Sequence, residues 1–257
     1  MTNWQTDYLQ VNKFSRPGSK LLGVKGIVMH WTADPGATDE REIQFFDGSD
    51  GGGGRYASAH FFVDRDSATC DIPLNEVAYH ANEKPCKIAK LAATTSYYHN
   101  GGANLTTIGV EMCVEPDGTI HADTIARAVL VVSDLCKMFN LTANDIYRHF
   151  DITGKNCPAP WVTDASKFAD FKKSVDAVLN PPKPAVVAAD RQLLEVLVDS
   201  LYTYKSPNWN DKTGPVVNKG DVFTIQRAIT VAGAKMYLLK SGIYITANEK
   251  YVKVKKG

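Results

Sequence analysis

Two good metal-binding side chains stand eight positions apart in the segment Arg148-His149-Phe150-Asp151-Ile152-Thr153-Gly154-Lys155-Asn156-Cys157-Pro158. Imidazole nitrogen and thiolate sulfur are preferred zinc ligands, and a loop rich in turn formers can bring both to one ion. The spacing is too long for a zinc finger. A third ligand is available in His30, which ends the apolar run Gly26-Ile27-Val28-Met29. Sites on sheets are commonly built at the carboxyl ends of such strands. Three protein ligands with an open fourth position describe a catalytic zinc, which lowers the pKa of bound water to about 7.

Such a site needs a base, and Glu111 is the candidate. In Thr107 to Glu115, Ile108, Val110, Met112 and Val114 share one face of a strand, while Gly109, Glu111 and Cys113 share the other. Two readings stay open. Glu111 is either a partly desolvated carboxylate in a pocket, with its pKa raised into a useful range, or an edge-strand residue in water. Among the other histidines, His60 follows Ala59 in a β-run and reads as a packing or supporting residue, and His99 and His121 as surface residues. Trp31, beside His30, either packs the strand end or flanks a substrate groove. Gly51 to Gly54 reads as a flexible loop, with the lip of a groove as the alternative. Five cysteines are an odd number that argues against a disulfide scaffold, and Cys113 and Cys136 fall in apolar elements where they act as small hydrophobes.

The elements that must hold these residues alternate between strand and helix. Gly26 to His30 suits a strand buried on both faces. Asp39 with Glu42 resembles a capping pair opening a helix that reaches about Phe46. Ser58 to Arg65 and Ala68 to Ile72 read as a hairpin turning at Asp66-Ser67. Ile125, Val129, Val132, Leu135 and Phe139 recur at helical spacing behind Asp123 as a cap, and Phe168, Phe171, Val175 and Val178 do so behind Asp164. A short strand, Ile146-Tyr147, precedes His149. The expected fold is α/β, a mixed central sheet flanked by helices.

Composition adds limits. The 257 residues are 44% hydrophobic and 22% charged, which excludes a disordered or collagen-like chain. No run approaches the roughly 18 apolar residues of a membrane span, so no membrane insertion is expected. The opening residues Met1-Thr2-Asn3-Trp4 lack the basic and apolar regions of a signal peptide, so synthesis in the cytoplasm is expected. The net charge of +1 hides two halves: residues 1–180 hold 17 basic and 22 acidic side chains, a net of −5, and residues 181–257 hold 12 and 6, a net of +6. The change coincides with three prolines in Pro181-Pro182-Lys183-Pro184, which suit a semi-rigid linker. Beyond it, short β-rich runs at 201–204, 222–225, 235–239, 242–246 and 251–254 suggest a small all-β barrel domain. An excess of six positive charges without any recognition signature gives no reason to expect nucleic acid as a partner.

The motifs carry a resemblance. Ile27-Val28-Met29-His30-Trp31-Thr32, Ser58-Ala59-His60 through Asp66, Val77-Ala78-Tyr79-His80-Ala81, Asn104 through Glu111 and His149 through Pro158 agree in order and spacing with the type 2 N-acetylmuramoyl-L-alanine amidase family. That family includes the peptidoglycan recognition proteins and many phage endolysins, and the resemblance spans residues 23–160. It implies one zinc ion held by His30, His149 and Cys157, Glu111 as the catalytic carboxylate, Lys155 as the cation facing the transition state, and His80 in the substrate groove. Some members carry a Tyr where this chain has Ala59, which places more weight on Glu111. Residues 201–256 resemble bacterial Src-homology-3-like wall-binding domains, with Tyr202, Tyr204, Trp209 and Tyr244 as stacking candidates.

The implied organisation is a zinc amidase domain over 1–179, a linker over 180–190 and a wall-binding domain over 191–257. The implied partner is bacterial peptidoglycan, reached after release through a separate hole-forming protein. A non-catalytic peptidoglycan-binding module and a zinc peptidase cutting within the stem peptide remain as alternatives.

Overall fold

The computed structural model describes residues 2–81, 85–96, 99, 101–181 and 192–256. The chain forms two compact units, Met1–Pro182 and Lys183–Gly257. Most of the expected linker, from residue 182 to 190, lies outside the described residues. No helix among the described residues is long and apolar enough to cross a membrane.

The first unit contains β1 (Gln5–Thr6), β2 (Gly26–Pro35), α1 (Asp39–Phe46), β3 (Phe61–Val63), β4 (Ala68–Cys70), β5 (Thr107–Val114), α2 (Ala122–Phe139), β6 (Ile146–Arg148), α3 (His149–Thr153), α4 (Ala159–Thr163) and α5 (Ala165–Leu179). Its sheet runs β1-β4-β3-β5-β2-β6, and every pair is parallel except the β3–β4 hairpin. The mixed α/β sheet expected from the sequence is the sheet observed. Ile27, Val28 and Met29 are buried on an interior strand, as a continuous apolar run requires.

Alternation on β5 sorts the two layers. Ile108, Val110 and Met112 join Val132 and Leu135 of α2 and Phe168, Phe171 and Val175 of α5 in one core, where Trp161 meets Phe171 at 5.0 Å between ring centroids. The opposite face carries Gly109, Glu111 and Cys113, and Cys113 packs with Ile43 and Phe62.

Two of the three expected caps shift by one or two residues. Thr38, not Asp39, caps α1 by accepting from the Arg41 N–H at 3.4 Å, while Asp39 is buried and accepts from Thr69 Oγ1 at 2.7 Å. His121 caps α2 through Nδ1, which accepts from the Asp123 N–H at 3.1 Å. Asp164 caps α5 as expected. Gly51 to Gly54 forms a 3₁₀ turn with Gly51 and Gly52 buried, in place of the flexible loop its composition suggested.

The second unit is a five-stranded antiparallel sheet of β7 (Gln192–Val196), β8 (Val222–Val231), β9 (Ala234–Leu239), β10 (Tyr244–Thr246) and β11 (Val252–Lys256), in the order β10-β9-β8-β7-β11. β7 was not apparent in the sequence, whereas the expected strand at 201–204 reduces to isolated bridges from Leu201 to Val217 and from Tyr204 to Tyr244. Tyr204 is a core residue at 8% exposure and Tyr202 an exposed one at 55%. Trp209 is tied down by its indole N–H, which donates to the Val231 carbonyl at 2.9 Å.

Candidate metal centre

Parallel register gathers residues far apart in the chain. His30 on β2 pairs with Glu111 on β5, and Met29 pairs with Arg148, which sets His149 one position beyond the end of β6. Arg148 secures that corner: its guanidinium holds the Asp151 carboxylate at 2.7 Å, and its backbone N–H donates to the same carboxylate at 2.9 Å. α3 then ends at Gly154 in the left-handed conformation, with φ of 89°. The Phe150 N–H donates to the Cys157 carbonyl at 3.0 Å, which returns Cys157 to His149.

The result is a convergence of electron-pair donors. His30 Nδ1 lies 3.0 Å from His149 Nδ1 and 3.8 Å from Cys157 Sγ, and the three residues are 1%, 1% and 4% exposed. Tetrahedral zinc with ordinary bond lengths holds two such nitrogens about 3.3 Å apart and nitrogen and sulfur about 3.6 Å apart. The observed spacings bracket those values, so the donor set fits a metal ion; one atom from each residue falls within 4.8 Å of the others. Burial, reinforced by His149 and His80, holds the His30 imidazolium far below its ordinary range, so His30 offers a neutral ring.

Glu111 stands beside this cluster, its Oε1 3.9 Å from His30 Nδ1. β5 lies between β3 and β2, which excludes the edge-strand reading. Its side chain keeps 21% exposure, yet Oε2 is covered and makes no hydrogen bond. Burial pushes the carboxyl up to about 8, the negative charge of Glu42 adds to the rise, and Lys155 opposes it. Lys155 itself is exposed on the loop before Cys157, and its charge is felt at both His30 and Glu111.

The other expected site residues lie elsewhere. Trp31 is in register with Met112, so strand alternation directs it to the face opposite His30, and the structure does not bring it into the cluster. His80, expected in the groove, is buried behind His30 with Nδ1 3.1 Å from His30 Nε2. His60 is a buried neutral ring pushed down to about 4 chiefly by burial; Nδ1 accepts from the Gly109 N–H and Nε2 bonds the Glu76 carbonyl, both at 3.0 Å. Both nitrogens are occupied, as a supporting role requires.

Glu42, expected as a capping residue, is instead a charged neighbour of Glu111. It is buried in the first turn of α1 with Oε1 unbonded, and burial followed by the charge of Asp34 pushes its carboxyl up to about 7. A helix N-terminus favours a carboxylate, but here desolvation is the larger effect. The folded zinc-free chain holds this proton where the unfolded chain releases it, so stability falls as pH rises from about 4.5 to about 7. Glu42→Gln removes that loss. Urea denaturation is expected to show the variant close to the parent at pH 4 and up to about 3 kcal/mol more stable at pH 8. Equal effects at both pH values would mean that the fold holds the Glu42 proton no more tightly than the unfolded chain does.

Residues 20–160 match the family model described as N-acetylmuramoyl-L-alanine amidase, and residues 190–252 match a domain family of unknown function. The chain is 42% identical to the N-acetylmuramoyl-L-alanine amidase BlyA of Bacillus subtilis (strain 168), over 99% of this chain and 74% of BlyA. It is 49% identical to the N-acetylmuramoyl-L-alanine amidase CwlL of Bacillus licheniformis, over 67% of this chain but only 46% of CwlL. Among solved structures, the catalytic domain of XlyA superposes with a TM-score of 0.53 at 25% identity, covering 68% of this chain and 99% of that domain. With the family model covering more than half of its length and the match to BlyA spanning 99% of it, the chain belongs to the N-acetylmuramoyl-L-alanine amidase family.

Proposed function

We propose that the chain hydrolyses the amide bond between N-acetylmuramic acid and L-alanine in bacterial peptidoglycan, with one zinc ion held by His30, His149 and Cys157. The observation that carries this reading is the convergence of those three donors within 4.8 Å, with the Glu111 carboxylate 3.9 Å from His30. A bound zinc ion would polarise the amide carbonyl and acidify a water molecule. Glu111 takes the proton of the attacking water on its carboxylate and returns it to the leaving amine. Lys155 contributes positive charge where the oxyanion develops.

Lys155→Ala is expected to lower turnover on purified walls by about 10²–10³-fold while leaving zinc content unchanged. Turnover within a few-fold of the parent would remove Lys155 from the mechanism.

The basic second unit, with Tyr202 exposed, is proposed to dock the enzyme on the anionic wall, raising its effective concentration at the substrate. Mass spectrometry of products released from purified walls tests the reaction. Free amino groups on L-alanine with intact glycan are expected. New amino groups inside the stem peptide would indicate a peptidase, and wall binding without any product would indicate a recognition module.

A further inference from the structure

Behind His30 runs a line of buried hydrogen bonds that the proposed reaction does not use. His30 Nε2 lies 3.1 Å from His80 Nδ1, His80 Nε2 lies 3.2 Å from Thr107 Oγ1, and Thr107 Oγ1 lies 2.8 Å from the Ala103 carbonyl oxygen. The carbonyl at the end can only accept, and that sets the direction of the whole line. Thr107 donates its proton to Ala103, so its oxygen accepts from His80 Nε2–H. His80 Nδ1 is then a bare lone pair and accepts from His30 Nε2–H. The remaining nitrogen of His30, Nδ1, carries no proton, and it is the atom that faces His149 and Cys157. One proton assignment satisfies all three bonds.

His80 is itself held firmly. Its ring lies against Gly109, where a Cβ would come within 2.7 Å of the imidazole Cγ. The backbone N–H groups of His80 and Ala81 donate to Asn104 Oδ1 at 3.3 and 2.7 Å. His80 is 7% exposed and Thr107 fully buried.

We propose that His80, oriented by Thr107, is a positioning residue that fixes the tautomer and ring angle of His30 so that Nδ1 is presented to the metal. The proposal rests on the zinc reading above. Partners of this kind behind a ligating histidine are worth about 10–100-fold in metal affinity.

The test uses the full chain, titrated with zinc against a competing chelator, with long-range ¹H–¹⁵N correlation spectra of the histidine rings and a melting curve for each variant. The parent is expected to show His30 protonated at Nε2. His80→Phe is expected to weaken zinc binding about 10–100-fold and to shift or remove the His30 Nε2–H signal. His80→Asn, whose Oδ1 can occupy the place of the acceptor Nδ1, is expected to restore most of the affinity and the signal. Thr107→Val is expected to weaken binding in the same direction and to add little in the His80→Phe background, because both changes interrupt one line. Unchanged zinc affinity in folded His80→Phe protein would overturn the proposal. So would equal losses in His80→Phe and His80→Asn with an additive Thr107→Val, which is the pattern of plain packing. A parent chain that binds no zinc would remove the zinc reading and this proposal together.

Discussion

Glu111→Gln is expected to reduce turnover on purified walls by about 10²–10⁴-fold, the range lost when a positioned general base is removed, with zinc content unchanged. The substitution keeps the shape of the side chain and its place on an interior strand, so packing against Phe62 and the neighbours of β5 is preserved. It removes the ability to accept and return a proton. It also removes a carboxyl that burial and Glu42 make costly to ionise, so the zinc-free variant is expected to unfold no more readily than the parent at neutral pH. A variant that turns over almost normally would transfer the proton step to another group. A variant that lost zinc would instead make Glu111 part of the metal site.

The second large effect is expected at Cys157. Cys157→Ala removes the sulfur from a three-donor cluster, so zinc content is expected to fall below one per chain and hydrolysis to be abolished. The zinc-free fold is expected to survive, because the loop that carries Cys157 is held by the Phe150 to Cys157 backbone bond and the Arg148–Asp151 ion pair rather than by the thiol. Thermal melts separate the two effects. Added zinc is expected to raise the melting temperature of the parent by mass action and to leave the variant unmoved. Equal zinc stabilisation in both proteins would place the metal elsewhere.

Much of this site was legible from residue type and periodicity. His149 and Cys157 are strong ligands joined by a turn-rich loop, His30 ends a buried strand, and the two-residue period of β5 places Glu111 opposite the helix-covered face. The same rule extended backwards would have found Thr107, four residues before Glu111 and on its face. Applied to β2, it would have set Trp31 opposite His30, since adjacent strand residues face opposite ways. His80 could not be placed this way because it sits in a loop, and its contacts with His30 and Thr107 depend on tertiary closure. The caps were misplaced because Thr38 and Asp39, and likewise His121 and Asp123, are rival acceptors within one or two residues. β7 escaped notice because its short sequence, Gln-Leu-Leu-Glu-Val, acquires strand character only by pairing with β8 and β11.

The cluster joins residues from three parallel strands or strand ends, at positions 30, 111 and 149, and parallel pairing of this kind closes long stretches of chain before any contact rewards it. Before the sheet forms, only His149 and Cys157 are neighbours, and a two-ligand fragment is a poor competitor for zinc. With zinc held as proposed, metal capture would mark the end of folding: a nascent or damaged copy of the chain would be catalytically silent until β2, β5 and β6 had come into register.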